Sequence, residues 1–269
     1  MAGTLGRQLS YQVQRHLLRR RTLLADGLPL DMRFRFHAPD DVGRRLYKRR
    51  MHEPHIFSRL MERRAWFRDG LAIDAGANLG WYSVLCERLS GGTASVLACE
   101  PDPANLGLLH GNLALNGAQG VAVLAAALSD HAGTASLHRY GDINRGRHSL
   151  QRHNRSADSV EVALVTLDSE LDRRGFGKRE ITLLKVDVEG HEPELLAGAS
   201  EALARTQMLV LEYSPMYYET AAAAAMLEAL FHTGLRPEVW LDGEWRSVSA
   251  GELLAMTDQC DTWWEQERV

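Results

Sequence analysis

Four short segments of the chain place acidic side chains directly after apolar runs. The first is DAGANLG, residues 74–80, which follows the apolar residues 71–73 and precedes a helical pattern from Trp81. A strand, a glycine turn and a helix in this order form the first half of a nucleotide-binding βαβ unit. On its own the segment is a weak signal, because many α/β proteins have a glycine after a strand.

The second segment begins with Glu100, directly after a predicted strand over 93–99. Glu100 lies 20 residues after Gly80, and an acid at this spacing can accept hydrogen bonds from both hydroxyls of a ribose. Asp102 and Pro103 are also typical of a capped helix start. The two roles are compatible, so we expect a ligand-binding segment that continues into a helix.

The glycine turn separates two classes of cofactor. Dinucleotide-binding proteins need Gly-x-Gly-x-x-Gly to seat a pyrophosphate, whereas this turn has only Gly76 and Gly80, with Asp74 just ahead. A carboxylate there repels a pyrophosphate and suits a cationic ligand. S-adenosyl-L-methionine carries an ammonium, a sulfonium and a ribose. The sequence therefore favours this cofactor, with a nicotinamide oxidoreductase as the less favoured alternative.

The third and fourth segments supply candidate catalytic groups. Asp187 ends an apolar strand, and Glu189, His191 and Glu192 follow it closely, which indicates a functional site. Alternatively, Glu192 partners a helix dipole and His191 is an exposed cap residue. A metal site of Asp187, Glu189 and His191 is the minor alternative to our prediction of no metal. Glu212 ends the next strand, either facing the same cleft or paired at its rim.

A parallel sheet covered on both faces would bring these segments together. From residue 71 strands and helices alternate, which predicts an α/β fold. A hairpin over 238–248 with an Asp-Gly turn predicts an antiparallel edge. The predicted strands are 71–75, 93–99, 121–127, 134–139, 160–166, 181–188 and 208–213, and the predicted helices are 81–89, 104–115, 167–174, 192–203 and 221–233.

Residues 1–68 are predicted to form a basic, mainly helical extension ahead of a catalytic domain over 69–269. A helix is expected over 4–24, and its apolar residues recur every four positions. We expect this stripe to pack on the body of the protein; contact with a membrane or another anionic surface is the alternative. Beyond it we expect an edge strand over 32–37 and two helices between 41 and 68, separated at Pro54. The stripe consists of Leu5, Leu9, Val13 and Leu17.

Charge and composition exclude several classes of function. Residues 1–70 carry 16 Lys and Arg against 7 Asp and Glu, so the remaining 199 residues carry 15 against 28. An acidic body argues against a general nucleic-acid binder. The absence of a long apolar run predicts no transmembrane segment and no signal peptide. Three cysteines without a Cys-x-x-Cys pair favour a reducing compartment, and we expect a cytoplasmic protein. The oligomeric state is left open.

In order and spacing, the four segments and the residues around them resemble the FkbM family of S-adenosylmethionine-dependent methyltransferases. The Asp-x-Glu-Gly pattern at residues 187–190 distinguishes this family from other methyltransferases, and the resemblance spans residues 71–213. The matching runs are IDAGANLGWYS at 73–83, CEPDPAN at 99–105, AALSD at 126–130 and LKVDVEGHE at 184–192.

The resemblance implies a Rossmann-like class I methyltransferase fold and O-methylation of a hydroxyl on a sugar, a glycan or glycolipid, or a polyketide-type metabolite. Glu100 would hold the ribose of the cofactor. Asp187 and Glu189 would lie at the methyl-transfer cleft, and as the catalytic base we expect this acidic pair ahead of His191. The methionine part would be surrounded by Asp74, Gly76, Asn78 and Gly80. Ser129 and Asp130 would lie near the adenine, and Ser83, Pro101 and Asn105 belong to the same matching runs.

Two further hypotheses concern regions outside these runs. The polar segment 140–159 could act as a lid and offer cations to an anionic acceptor, or it is a solvated loop. An inactive methyltransferase-like scaffold, working through its basic N-terminal helices, is the non-enzymatic alternative. The cations in question are Arg145, Arg147, His148 and Arg152.

Overall fold

The computed structural model of this protein describes residues 2–140, 150 and 156–266. The first part of the chain folds into three helices and a small hairpin. Its elements are α1 (Ala2–Gln12), a π-helical turn (Val13–Leu17), β1 (Thr22–Ala25), β2 (Phe34–His37), α2 (Asp41–Arg49), α3 (Pro54–Glu62) and a 3-10 turn (Arg64–Phe67).

Two predictions for the N-terminal part were wrong. The helix expected over 4–24 ends at Leu17, and β1 instead pairs antiparallel with β2, because Leu23 and Ala25 alternate inward as in a strand. The leucine stripe does not pack on the body: Leu5 is 72% exposed and Leu9 67% exposed. The prediction assumed that the apolar side of the helix faces the protein. In the structure the polar side faces the protein, because its residues hydrogen-bond to α2.

The rest of the chain builds the central sheet and its helices. The elements are β3 (Leu71–Ala75), α4 (Trp81–Ser90), β4 (Ser95–Cys99), α5 (Pro103–Asn116), β5 (Val121–Leu124), β6 (Ala127–Leu128), β7 (Gly133–Tyr140), β8 (Ser156–Val165), α6 (Leu167–Arg173), β9 (Ile181–Val186), α7 (Glu192–Ala197), α8 (Ser200–Leu203), β10 (Thr206–Tyr213), a 3-10 turn (Pro215–Tyr217), α9 (Thr220–His232), β11 (Leu235–Leu241), β12 (Glu244–Ser247), α10 (Ala250–Leu254) and β13 (Cys260–Gln266).

The main sheet has the strand order β12-β11-β13-β10-β9-β3-β4-β5. The five strands β10, β9, β3, β4 and β5 run parallel, and the other three form an antiparallel edge. The α/β class and the Rossmann-like, mostly parallel sheet are thus confirmed. Strands β6, β8 and β7 form a separate small sheet.

The C-terminal edge differs from the prediction in one respect. The hairpin β11–β12 is present, but β13 lies between β10 and β11. This strand was missed because Trp263 and Trp264 are adjacent apolar residues, without the alternation of a half-buried strand. Both indoles are fully buried, since β13 is covered on both faces and each indole enters a different core.

Alternate residues of the strands point into two cores, one on each face of the sheet. Ala72, Val96 and Leu183 face the layer made by the N-terminal elements together with α4 and α5. Ile73 and Leu184 face the layer of α6 to α9. The N-terminal elements therefore supply part of one covering layer, while the domain boundary at residue 69 stays a prediction. Among the described residues, no helix combines the length and apolar character needed to cross a bilayer.

Candidate active site

The predicted segments meet at the carboxyl ends of β3, β4 and β9. The chain continues from β3 to β4 on one side of the sheet, and β9 pairs on the other, which makes the end of β3 a switch point of the kind that binds ligands in open α/β sheets. A cavity opens there. Its walls include nine of the predicted site residues: Asp74, Gly76, Asn78, Glu100, Pro101, Asn105, Asp187, Glu189 and His191.

Asp74 forms the acidic floor of this cavity. Its carboxylate is 3% exposed and accepts a 2.5 Å hydrogen bond from the hydroxyl of Ser83. Burial raises the pKa of Asp74 to about 6, although the Ser83 hydroxyl and the charge of Lys185 work against the shift. Ser83 therefore orients the acid from the first turns of α4 and, among the described residues, is not part of the cavity wall.

Glu100 also lines the cavity and organises two backbone turns. Its two carboxylate oxygens accept 2.8 Å hydrogen bonds, one from the backbone N–H of Asn78 and one from that of Asp102. Burial raises the pKa of Glu100 to about 7, although these donors and Asn105 favour the charged form. A carboxylate has about four lone-pair sites, and Asn78, Asp102 and Asn105 use three of them, so one site remains to accept a hydrogen bond from a ligand.

The donor set of the cavity suits a cationic ligand with a ribose. The side-chain oxygen of Asn78 is buried and has no hydrogen-bond partner among the described residues, and such atoms point to a missing partner. Asp74, Asn78 and Glu100 thus place two carboxylates and one amide oxygen around the cavity. These acceptor groups fit the charges and hydroxyls of S-adenosylmethionine. The volume of the cavity is about 90 Å³, below the roughly 300–1,000 Å³ that is usual for small-molecule sites.

Three carboxylates gather beside this cavity. Carboxylate oxygens of Asp187, Glu189 and Glu212 all lie within 4.8 Å of one another. Burial and the negative charges of Asp187 and Glu189 raise the pKa of Glu212 well above its ordinary range. We call these three residues the carboxylate cluster. Glu212 is thus close to Asp187 and Glu189, but among the described residues it does not line the cavity itself.

Lys185 supplies the countercharge. Its ammonium is 2% exposed and lies 3.4 Å from the carboxylate of Asp187. Burial opposes a charge on Lys185, but the carboxylates of Asp187, Glu53 and Glu212 together outweigh it and raise its pKa. A buried cation beside the cluster reduces its net negative charge and holds Asp187 at the end of β9.

The metal set considered from the sequence does not come together as predicted, although the three residues of the carboxylate cluster are close enough to hold a metal ion. His191 is not a member of the carboxylate cluster: its Nε2 lies 3.0 Å from the hydroxyl of Ser129, and its Nδ1 lies 3.4 Å from Glu194. Burial lowers the pKa of His191. The lowered pKa favours the neutral imidazole, and the ring lies outside the carboxylate cluster.

Three other predicted cofactor residues, Gly80, Ser129 and Asp130, do not line the cavity among the described residues. Ser129 is fully buried and lies next to Asp130, whose carboxylate contacts His131 at the surface. The wall near them is formed by residues 126–128 instead. Gly80 packs against Leu109 at the start of α4, with a φ of +86°. The predicted contacts of these three residues with the cofactor stay predictions.

The N-terminal elements contribute a wall that the sequence did not predict. The hydroxyl of Tyr82, at the start of α4, donates a hydrogen bond to Glu53, and His52 lies 3.1 Å from the same carboxylate. His52 and Val42 line the cavity. The sequence analysis could not predict this contact, because Glu53 and Tyr82 are 29 residues apart and local sequence patterns do not extend that far.

A wider groove lies on the other side of the carboxylate cluster. It holds about 910 Å³ and includes Glu212, so it meets the cavity at the cluster. One side is the basic face of α2, where burial and repulsion by Arg44 and Arg15 lower the pKa of Lys48. The other side carries Glu53 and Asp261. The cations of the basic face are Arg44, Arg45, Lys48 and Arg49.

The proposed lid lies mostly outside the described residues, and so do Arg145, Arg147, His148 and Arg152. Leu150, the one described residue between 141 and 155, lines the cavity. The segment thus borders the site at this position.

Comparison with known proteins decides the family. A family model described as the methyltransferase FkbM domain matches residues 74–237. The chain belongs to the FkbM methyltransferase family. The matched FkbM region starts at Asp74 and includes every predicted catalytic and cofactor residue.

Curated relatives share parts of this FkbM chain. The methyltransferase sdnD of Sordaria araneosa is 34% identical, with 48% of this chain and 60% of that protein covered. The hexuronic acid methyltransferase AglP of Haloferax volcanii is 28% identical, with 54% and 56% covered. The chain thus spans less than two thirds of the length of either relative.

Among solved structures, methyltransferase FkbM from Methylobacillus flagellatus is 15% identical and has a TM-score of 0.47, with 74% of this chain and 44% of that chain covered. A methyltransferase from Agrobacterium tumefaciens is 13% identical and has a TM-score of 0.48, with 92% and 71% covered. The fold assignment rests on the strand order of the sheet itself.

Proposed function

We propose that this FkbM protein is an S-adenosylmethionine-dependent O-methyltransferase that acts on a hydroxyl of an acidic sugar or glycan. The observation that carries the proposal is the carboxylate cluster between two spaces. The cavity on one side has the acids that suit the cofactor, and the groove on the other is large enough for a sugar. An acceptor hydroxyl between them would reach both a methyl donor and a base.

Asp74 and Asn78 would hold the amino-acid part of the cofactor, and Glu100 its ribose. When bound, S-adenosylmethionine supplies an electrophilic methyl group on a sulfonium. The protein then has to position the acceptor oxygen and remove its proton. Burial and the negative charges of Asp187 and Glu189 raise the pKa of Glu212 well above its ordinary range, which disfavours the ionised form that a base requires. The base is therefore Asp187 or Glu189.

Cofactor binding is the first test, and we expect it to depend on Glu100. In Glu100→Gln the amide loses one of the oxygens that would accept a ribose hydroxyl, so affinity should fall about 10- to 100-fold. The pKa of Glu100 is about 7, and the ionised form is the stronger acceptor for a ribose hydroxyl. Wild-type affinity should therefore rise between pH 5.5 and 7.5, and this rise should be smaller in Glu100→Gln.

Isothermal calorimetry with S-adenosylmethionine measures both effects. Glu87→Gln is a matched control, because Glu87 is also buried and also has a raised pKa, but does not line the cavity among the described residues. Absence of binding at millimolar cofactor would overturn the proposed function. NADH binding, followed by fluorescence, would favour the oxidoreductase alternative.

The acidic acceptor is suggested by the basic face of α2. Four cations line this side of the groove, with Asp41 as the acid among them, so an anionic group would be attracted there. The relative AglP acts on a hexuronic acid by its name, which agrees with this charge pattern. If the carboxylate of the acceptor sugar binds the basic face, the rest of the sugar would extend toward the carboxylate cluster.

We expect methyl transfer to D-glucuronic acid to be at least tenfold more efficient than transfer to D-glucose. Lys48→Gln combined with Arg49→Gln should reduce this preference about tenfold, because each exposed ion pair contributes up to about 1 kcal/mol. Lys178→Gln, an exposed site outside the groove, is the control. The assay is the transfer of labelled methyl from S-adenosylmethionine. Equal rates on both sugars would contradict an acidic acceptor.

A further inference from the structure

Helix α1 is oriented with its polar side toward the protein. Tyr11 is buried, and its hydroxyl donates to the carbonyl of Ala38. Ser10 and Gln14 contact the hydroxyl of Tyr47 at 2.9 Å and 2.6 Å. Arg7 donates to the carbonyl of Lys48 at 3.0 Å. These contacts fix the helix on α2 and the N-terminal hairpin through hydrogen bonds.

The opposite side of the same helix is apolar and faces solvent. Five side chains on α1, its π-helical continuation and the residue that follows it are 38–74% exposed. Surface helices of globular proteins normally show the reverse arrangement, with the apolar face inward. A row of exposed leucines that the fold itself orients outward indicates a binding surface. We call it the leucine face; it consists of Leu5, Leu9, Val13, Leu17 and Leu18.

The charges around the leucine face identify what could cover it. The first 25 residues contain five arginines and no acidic residue. Among residues 2–140, 150 and 156–266, no carboxylate forms an ion pair with Arg15, Arg19, Arg20 or Arg21. An anionic surface complements this region.

A second copy of the chain is a less suitable partner for the leucine face than an anionic surface. It would bring two sets of arginines together through the same face. A standard protein–protein interface also needs roughly 20–30 residues on each side, many more than the five of the leucine face.

We propose that helix α1 docks on an anionic phospholipid bilayer. The leucine face would enter the boundary between headgroups and acyl chains, and the arginines after it would lie against the phosphates. Thr4 and Gln8 of α1 line the groove beside the carboxylate cluster. Docking would therefore hold the groove close to the membrane, where it could receive an acceptor carried by a lipid.

Co-sedimentation with lipid vesicles tests this docking without cofactor or acceptor, so its result is independent of the proposed function. The full chain should bind vesicles of phosphatidylcholine with 30% phosphatidylglycerol and should not bind pure phosphatidylcholine. Leu9→Glu should lower the partition coefficient about tenfold or more, since it removes an inserted apolar group and adds a negative charge. Leu254→Glu is the matched control, because Leu254 is an exposed leucine on α10.

Binding that requires phosphatidylglycerol, falls with added salt and is lost in Leu9→Glu but not in Leu254→Glu would support the proposal. Two results would overturn it: no binding of the wild-type chain to the anionic vesicles, or equal binding of Leu9→Glu and wild type. A dimer by light scattering that Leu9→Glu converts to a monomer would assign the leucine face to a second copy instead.

Discussion

Replacing Asp187 with asparagine should lower the turnover number at least a hundredfold and change the affinity for S-adenosylmethionine by less than about fivefold. A general base typically contributes 10²- to 10⁴-fold. The amide keeps the size of the carboxylate but cannot accept the proton of an acceptor hydroxyl. We expect cofactor affinity to depend instead on Asp74 and Glu100, which also line the cavity.

The measurement is steady-state methyl transfer to the best acceptor found, together with calorimetry of the cofactor. Asp242→Asn is a matched control, because Asp242 lies in the exposed turn between β11 and β12. Loss of the carboxylate also leaves Lys185 with less countercharge, so thermal unfolding must show that the variant is folded. Turnover within threefold of wild type would exclude Asp187 as the base and leave Glu189.

Replacing Gly76 with alanine should destabilise the protein by roughly 3–5 kcal/mol and abolish cofactor binding. Gly76 has a φ of +83°, and an added Cβ would lie 1.8 Å from the backbone carbonyl oxygen of Asp187. Relief of this clash has to move the end of β9 away from β3. The movement would displace Asp187 and the turn that carries Asn78.

Gly91→Ala separates the two parts of this effect. Gly91 has a φ of +70° with nothing within 4 Å of an added Cβ, so only the backbone cost of about 1–2 kcal/mol applies. Urea unfolding of both variants measures the difference. If Gly76→Ala and Gly91→Ala lower the free energy of unfolding equally, the predicted clash of the added Cβ with Asp187 does not destabilise the protein.

Local patterns were enough to predict the parallel part of the sheet. Each of its strands has an apolar run bounded by turn residues, and helices follow with recognisable caps. Asp102, for example, accepts from the backbone N–H of Ala104 at 2.8 Å, one residue after Pro103 begins α5. The antiparallel position of β13 was not predictable in this way, because it depends on pairing with β10, some fifty residues earlier in the chain.

The sequence by itself also determined which acids lie near one another. Asp74, Glu100 and Asp187 each end a parallel strand or follow it directly, and the carboxyl ends of parallel strands meet at one edge. The resemblance to the FkbM family rests on the same residues and their spacing, and the match to the family model confirms it.

The tertiary structure alone decided how these groups interact. It placed Glu212 with Asp187 and Glu189, buried Lys185 beside them, and brought Glu53 to Tyr82. It also turned the leucines of α1 outward. A helical repeat shows which side chains share a face but not which face meets the protein, because that depends on partners such as Tyr47, which lie far away in the sequence.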